Sequence, residues 1–273
     1  MTPTALIKLE NIYLKREDQN PTGSAKDRAI SLQVQNLVKK GIRSAVISST
    51  GNAAISAVYY CSKSNINLAI FLSPKINPEK LSLIKEKTNN IIFSYTPIRD
   101  AFRYAKKTQS FLLRQSTDPI AQIGYKSIGL ELSQKLPQIS SIFIPVGSGT
   151  TLLGISKGLP ETTKIFAVQP ASHCPISRIF DNQYTSETDT LTDALSVKLL
   201  PLKSQIQKTI IKSGGGGMVI QNNKVTEAQQ FLVSKNIITS AEGALALAGL
   251  LKAKEQKINI GNYPVILLTG QKR

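Results

Sequence analysis

The 273-residue chain (29.7 kDa) is 41% hydrophobic and 19% charged, a globular composition able to bury a sizeable core in one large or two small domains. It contains no apolar run of about twenty residues and no basic-then-apolar N-terminal segment, which argues against a helical membrane span and a signal peptide and gives the cytoplasm as the compartment. The formal charge of +17 is spread along the chain, and the aromatic residues (6%) do not interleave with it as a stacking platform requires. Compositional bias therefore explains the charge better than nucleic-acid binding, although such a field would draw in anionic cofactors and substrates.

The first distinctive stretch runs from Lys15 to Arg28 (KREDQNPTGSAKDR). Ile12, Tyr13 and Leu14 before it suit a short strand. Asn20 to Gly23 suit a turn, in which Pro21 fixes its own φ and Gly23 accepts a positive one. Ala29, Ile30, Leu32, Val34, Leu37 and Val38 then recur at helical spacing. Ser24 is placed as the N-cap, which puts Lys26 in the first turn. A cation there opposes the helix dipole. The same field, with Arg28 close by, should depress the Lys26 pKa and free an amine of the kind that forms Schiff bases. An ordinary solvated helix start is the competing reading.

Ala45 to Ser48 read as a buried strand ending in Ser49, Thr50, Gly51 and Asn52, with a helical pattern after it. A strand, a tight glycine turn and a helix N-terminus make an anion site whose hydroxyls and amide could grip a carboxylate. A plain strand-to-helix turn is the alternative. A strand at 68–72, a helix from about Asn77, a strand at 91–93, a helix over 98–107, an extended piece at 111–113 and a helix from Asp118 through Leu136 follow. Strands alternating with helices, without hairpin signals, predict mainly parallel α/β sheets.

Ile142 to Val146 form a buried strand running into Gly147, Ser148, Gly149, Thr150 and Thr151, with a helix from Leu152. Backbone amides bared by glycine, three hydroxyls and a helix dipole suit a phosphate better than any other stretch. It is not a nucleotide P-loop, and Gln169 and Pro170 stand where a dinucleotide fold carries its acid. The louder run Gly214 to Gly217 has no strand before it and reads as a turn ahead of a helix from about Thr226. His173, the single histidine, reads as a surface or packing residue, and Cys61 and Cys174 as buried or idle thiols. Together they cannot build a usual zinc set. Ser240 to Ala248 start a small-residue helix in which Glu242 is either an active-site acid or a dipole-complementing one. Val265 to Leu268 form a last buried strand, ending in Thr269 and Gly270.

In this order, these landmarks resemble the pyridoxal-phosphate enzymes of the tryptophan-synthase-β superfamily (fold type II), and most of all the threonine synthases. The Lys15–Arg28 stretch is similar to their cofactor-lysine segment, with Ala25 where they usually carry Phe. The resemblance implies that Lys26 binds pyridoxal 5′-phosphate as a Schiff base and moves protons in catalysis. It gives the cofactor phosphate to Gly147, Ser148, Gly149, Thr150 and Thr151, and the cofactor's 3′ oxygen to Asn52. Ser49, Thr50 and Gly51, with Asn52, take the substrate carboxylate, and Thr269 faces the pyridine nitrogen. A hydroxyl in that last place favours elimination and replacement over transamination.

The implied fold is two open, mostly parallel, twisted-sheet α/β domains with the cofactor in the interdomain cleft. Residues 1–34 and 135–273 would form the larger domain and 35–134 a smaller mobile one. A homodimer without metal, nucleic-acid or membrane partner is implied, acting on an anionic amino acid. The first activity implied is that of a threonine-synthase-like lyase, turning O-phosphohomoserine and water into threonine and phosphate. Threonine or serine dehydration and a cysteine-synthase-like β-replacement are the alternatives, and a non-catalytic amino-acid or nucleic-acid binder is a third. One departure bears on the choice: Ala121 stands where threonine synthases tend to carry Arg.

Overall fold

The computed structural model describes residues 2–49, 51–192, 194–195, 197 and 200–273. In chain order its elements begin with β1 (Leu6–Leu9), β2 (Ile12–Arg16), α1 (Lys26–Lys39), β3 (Ser44–Ser48), α2 (Asn52–Lys63), β4 (Asn67–Leu72) and α3 (Pro78–Lys85). Next come β5 (Ile91–Phe93), α4 (Pro97–Thr108), β6 (Phe111–Leu112), α5 (Pro119–Lys135), β7 (Ser141–Pro145), α6 (Thr150–Ser156) and β8 (Lys164–Pro170). The last are α7 (Lys203–Lys212), β9 (Gly216–Ile220), α8 (Asn222–Ser234), α9 (Ala241–Glu255) and β10 (Pro264–Leu268). No described helix is long and apolar enough to cross a membrane.

The chain forms two compact units. One holds the residues up to Gln19 with Tyr125–Lys272, and the other Asn20–Gly124 with Arg273. The divisions fall at 19/20 and 124/125, whereas the resemblance implied 34/35 and 134/135. The Lys26 helix sorts with the second unit because α1 packs along α2.

In the second unit the sheet order is β5-β4-β3-β6, all parallel. Alternation explains its two cores. Ala45 and Ile47 of β3, with Leu68, Ile70 and Leu72 of β4, face α1, α2 and α3, whereas Val46, Ala69 and Phe71 face Ala101 and Ala105 of α4. Both faces are covered, so the strands are apolar throughout.

The other unit carries a six-stranded sheet, β1-β2-β10-β7-β8-β9. Phe143 and Phe166 stack at 4.6 Å on neighbouring strands, and α9, buried along most of its length, packs over β7 to β10. Two features depart from the sequence expectation. First, β1 and β2 form an antiparallel hairpin, closed by Glu10 and Asn11 with Glu10 at φ 53°; no glycine dipeptide announces it. Second, only the first half of the tetraglycine is a turn, with Gly214 at φ 66°, and its second half opens strand β9 beside β8. A Cβ on Gly215 would lie 2.0 Å from the Ile165 carbonyl oxygen, and one on Gly217 2.6 Å from Ser177 Cα, so these glycines let backbones touch.

This unit also encloses an ionic cluster. Lys15 is fully buried on β2; its Nζ donates to Thr4 O at 2.9 Å, Thr4 Oγ1 at 2.6 Å and Glu131 Oε2 at 2.5 Å, with Glu17 Oε1 at 3.5 Å. Lys15 thus neutralises interior carboxylates and belongs to the fold.

Candidate active site

In the second unit, β3 and β6 are parallel neighbours, so their carboxyl ends open at the same edge, where α/β sheets gather their ligands. β3 leads into Ser49–Asn52, and β6 into the segment 113–118. The turn before α1 forms as its residues predict: Gly23 N donates to Asn20 O at 2.7 Å, and Gly23 sits at φ 71°. Ser24, however, is not the cap. Ala25 occupies that position in a right-handed helical conformation, α1 opens at Lys26 itself, and the buried Ser24 hydroxyl has no hydrogen-bond partner among the described residues.

From Thr22 to Ser31 every residue is buried except Lys26. Its Nζ lies 3.3 Å from Gln115 Oε1. Gln115 is a site residue the sequence reading missed. The signal was available, since Gln115 lies two positions after the extended piece and three before the Asp118–Pro119 landmark, but an isolated glutamine carries no pattern.

Asp27, the next residue, ties this region together. It accepts from Thr22 N at 2.7 Å, from Ser56 Oγ at 2.7 Å and from the Thr22 hydroxyl. Burial holds its carboxyl above the usual range, against those three bonds and the nearby Arg273 charge. Arg273 Nη1 donates to Asn52 Oδ1 at 2.9 Å and Nη2 to the Thr22 carbonyl. Gly51 N donates to Ser49 Oγ at 3.2 Å, and no atom of the described residues beyond its chain neighbours lies within 4 Å of where a Gly51 Cβ would stand. Lys26, Ser49, Gly51 and Asn52 therefore belong to one connected unit; Thr50 lies outside the described residues.

In the other unit, β7 and β10 are parallel neighbours, so the half-buried Thr269 after β10 and the loop after β7 leave the same end of the sheet. α6 starts at Thr150, two residues before the expected Leu152, which brings Thr150 and Thr151 into its first turn. Gly149 precedes it at φ 81°, no side chain of the described residues caps the turn, and Ser148 Oγ and Thr150 Oγ1 lie 3.1 Å apart. A Cβ on Gly149 would lie 2.0 Å from Ile206 Cδ1, and one on Gly147 3.2 Å from the Ala194 carbonyl oxygen. Glu242 Oε1 accepts from Ala194 N at 3.3 Å, and His173 Nε2 lies 2.9 Å from Val197 O. Both side chains thus hold the segment beside Gly147.

Mostly parallel α/β sheets, with an amine at one helix start and a glycine-hydroxyl loop at another, agree with the fold-type II architecture that the likeness to solved structures shows. Residues 1–270 match the family described as pyridoxal-phosphate dependent enzymes, and the chain belongs to it. The threonine synthase of Methanocaldococcus jannaschii is 24% identical over 284 residues, spanning 96% of this chain and 70% of that one. The L-threonine ammonia-lyase of Geobacter sulfurreducens is 22% identical over 280 residues, spanning 95% and 66%. Maize serine racemase superposes with a TM-score of 0.88 at 17% identity, covering 100% of this chain and 89% of that one.

The residues present fit pyridoxal phosphate. The turn after Gly149, at a helix start and with the Ser148 and Thr150 hydroxyls, offers donors to a phosphate, and the backbone at Gly149 lies so close to Ile206 that a side chain there would clash. On the other unit, the one unburied side chain of the Thr22–Ser31 run is an amine, and the nearby Ser24 hydroxyl is buried without a hydrogen-bond partner among the described residues.

Proposed function

We propose that the protein is a lyase acting on an amino acid, with Lys26 as the residue that attaches the cofactor covalently. The observation that carries this reading is the partial exposure of Lys26: it is the one unburied side chain between Thr22 and Ser31, with its amine against an amide oxygen. Gly147, Ser148, Gly149, Thr150 and Thr151 would hold the cofactor phosphate, Asn52 its ring oxygen, and Thr269 its pyridine nitrogen. Ser49, Thr50 and Gly51 would take the substrate carboxylate through hydroxyl and backbone donors. The cofactor, when bound, supplies an electron sink for carbanion charge. Lys26 Nζ removes the proton from the substrate Cα and returns protons further along the chain. Thr269, a hydroxyl rather than an acid, leaves the pyridine nitrogen without a fixed counter-charge, which suits elimination and replacement. A mobile smaller unit, a homodimer and a cytoplasmic location complete the proposal.

Threonine-synthase chemistry, the release of phosphate from O-phosphohomoserine with water added, is the first reading. One observation favours a second. Ala121 is fully buried in the first turn of α5, so this position offers no cation to a substrate phosphate. Threonine or serine dehydration, or a β-replacement of the cysteine-synthase kind, needs none. The visible spectrum of the purified protein beside Lys26→Ala, followed by additions of each amino acid, separates the readings. A band lost in the mutant supports the lysine. Phosphate release then supports the first activity, and keto-acid formation without it the second. No band after added pyridoxal phosphate, with salt-sensitive binding of duplex DNA, would instead support a non-catalytic binder.

A further inference from the structure

Arg273 makes contacts that the proposed chemistry does not use. Its guanidinium spans two segments, donating through Nη1 to Asn52 Oδ1 at 2.9 Å and through Nη2 to the carbonyl of Thr22. It also lies within the electrostatic reach of Asp27, whose carboxylate is itself bonded to Thr22 and Ser56. A guanidinium carries donors only, and an asparagine amide has one accepting end and one donating end. An Asn52 amide turned the other way would set N–H against N–H. The contact therefore determines which end of the amide is committed.

We infer that Arg273 is a positioning residue for Asn52: by capturing Oδ1 it leaves Nδ2, which can only donate, as the end that meets the ring oxygen of the cofactor. The inference rests on the assignment of Asn52 to that oxygen. Several observations support a positioning role over a mere surface contact. The guanidinium is half-buried, and burial pulls its pKa below the usual range while the Asp27 carboxylate opposes that shift. Its two acceptors lie thirty residues apart, one in the turn before Lys26 and the other at the first residue of α2. A planar fork holding both has little freedom left, so the amide is set before any ligand arrives.

The test is a titration of apo-protein with pyridoxal phosphate, read by visible absorbance and tyrosine fluorescence, for wild type, Arg273→Ala, Arg273→Lys, Asn52→Ala and the Asn52→Ala/Arg273→Ala pair. Losing a charge-assisted contact at the amide should weaken cofactor affinity about tenfold in Arg273→Ala and displace the visible band. Arg273→Lys, able to serve only one acceptor well, should recover part of both. In the Asn52→Ala background, Arg273→Ala should add less than about twofold, because the two residues act through one contact. A merely structural role would lower the melting temperature of apo-protein and leave the band where it was. Additive losses, or an Arg273→Ala protein that binds with wild-type affinity and spectrum, would overturn the inference while leaving the proposed function intact. A wild type that takes up no pyridoxal phosphate would remove both.

Discussion

Gln115 sets its amide oxygen 3.3 Å from the amine of Lys26, across 89 positions of sequence. The pair exists because β6 and β3 are parallel neighbours in register, Ala45 opposite Phe111 and Val46 opposite Leu112. That register brings the segment after β6 to the sheet end where α1 also begins. An amide oxygen can orient an ammonium group but cannot remove its proton, so Gln115 positions Lys26 without competing with it.

Gln115→Ala should therefore lower turnover about 10- to 100-fold through loss of orientation. The hydrogen bond to Lys26 is only partly buried, so its loss should itself change stability by less than about 1 kcal/mol. Steady-state kinetics beside a denaturant melt check both halves. Unchanged turnover would reduce Gln115 to a lining residue.

Lys15 and Glu131 make the contrasting pair, an interior ion pair with Glu17 and Thr4 on the same ammonium. Lys15→Ala would leave two carboxylates without their cation in a dry setting. The expected cost is about 3–5 kcal/mol, measured by urea denaturation of the apo-protein. A loss below about 1 kcal/mol would mean that water reaches the cluster.

Asp27 adds a pH dependence whose sign follows from the burial that raises its carboxyl. The folded state holds the Asp27 proton more tightly than the unfolded chain, whose carboxyl titrates near its ordinary value of 3.8. Its contribution to stability is therefore complete below that pH and is lost as pH rises through the folded value. Urea unfolding of wild type and Asp27→Asn across this range should show a difference that grows with pH and then levels off. A flat difference would mean that the hydrogen bonds from Thr22 and Ser56 cancel the effect of burial, and a difference that shrinks with pH would mean that they outweigh it.

Gly217→Ala separates the two glycine-rich stretches. Its Cβ would meet Ser177 Cα at 2.6 Å, so the backbone of β9 must shift. A destabilisation of about 1–3 kcal/mol or more is expected from such overpacking. Affinity of the folded protein for pyridoxal phosphate should stay near wild type, because phosphate is assigned to Gly147 through Thr151. A selective loss of cofactor binding without loss of stability would reverse that assignment.

Much of the architecture was legible in the residues because local chemistry and tertiary use agree there. Apolar runs such as Ile142–Ile144 and Leu68–Leu72 announced strands covered on both faces, and the Pro21–Gly23 turn formed where its φ preferences placed it. The motifs after β3 and β7 were found because small residues between a strand and a helix are distinctive. Strand β9 was not, since glycine carries no hydropathy signal and only the approach of Ile165 and Ser177 explains it. The β1–β2 hairpin escaped for a related reason, because Glu10 takes a positive φ that its side chain does not advertise.

By itself, the sequence determined the α/β class, the parallel sheets, the candidate amine and the candidate phosphate loop, all of which depend on short-range pattern. Tertiary structure alone decided which side chains meet them: Gln115 beside Lys26, Arg273 on Asn52, and Lys15 enclosed with its carboxylates. The physical reason is range. Periodicity and turn preference act over a few residues, whereas a hydrogen bond between residues 89 or 221 positions apart depends on strand order and register, which no local stretch encodes.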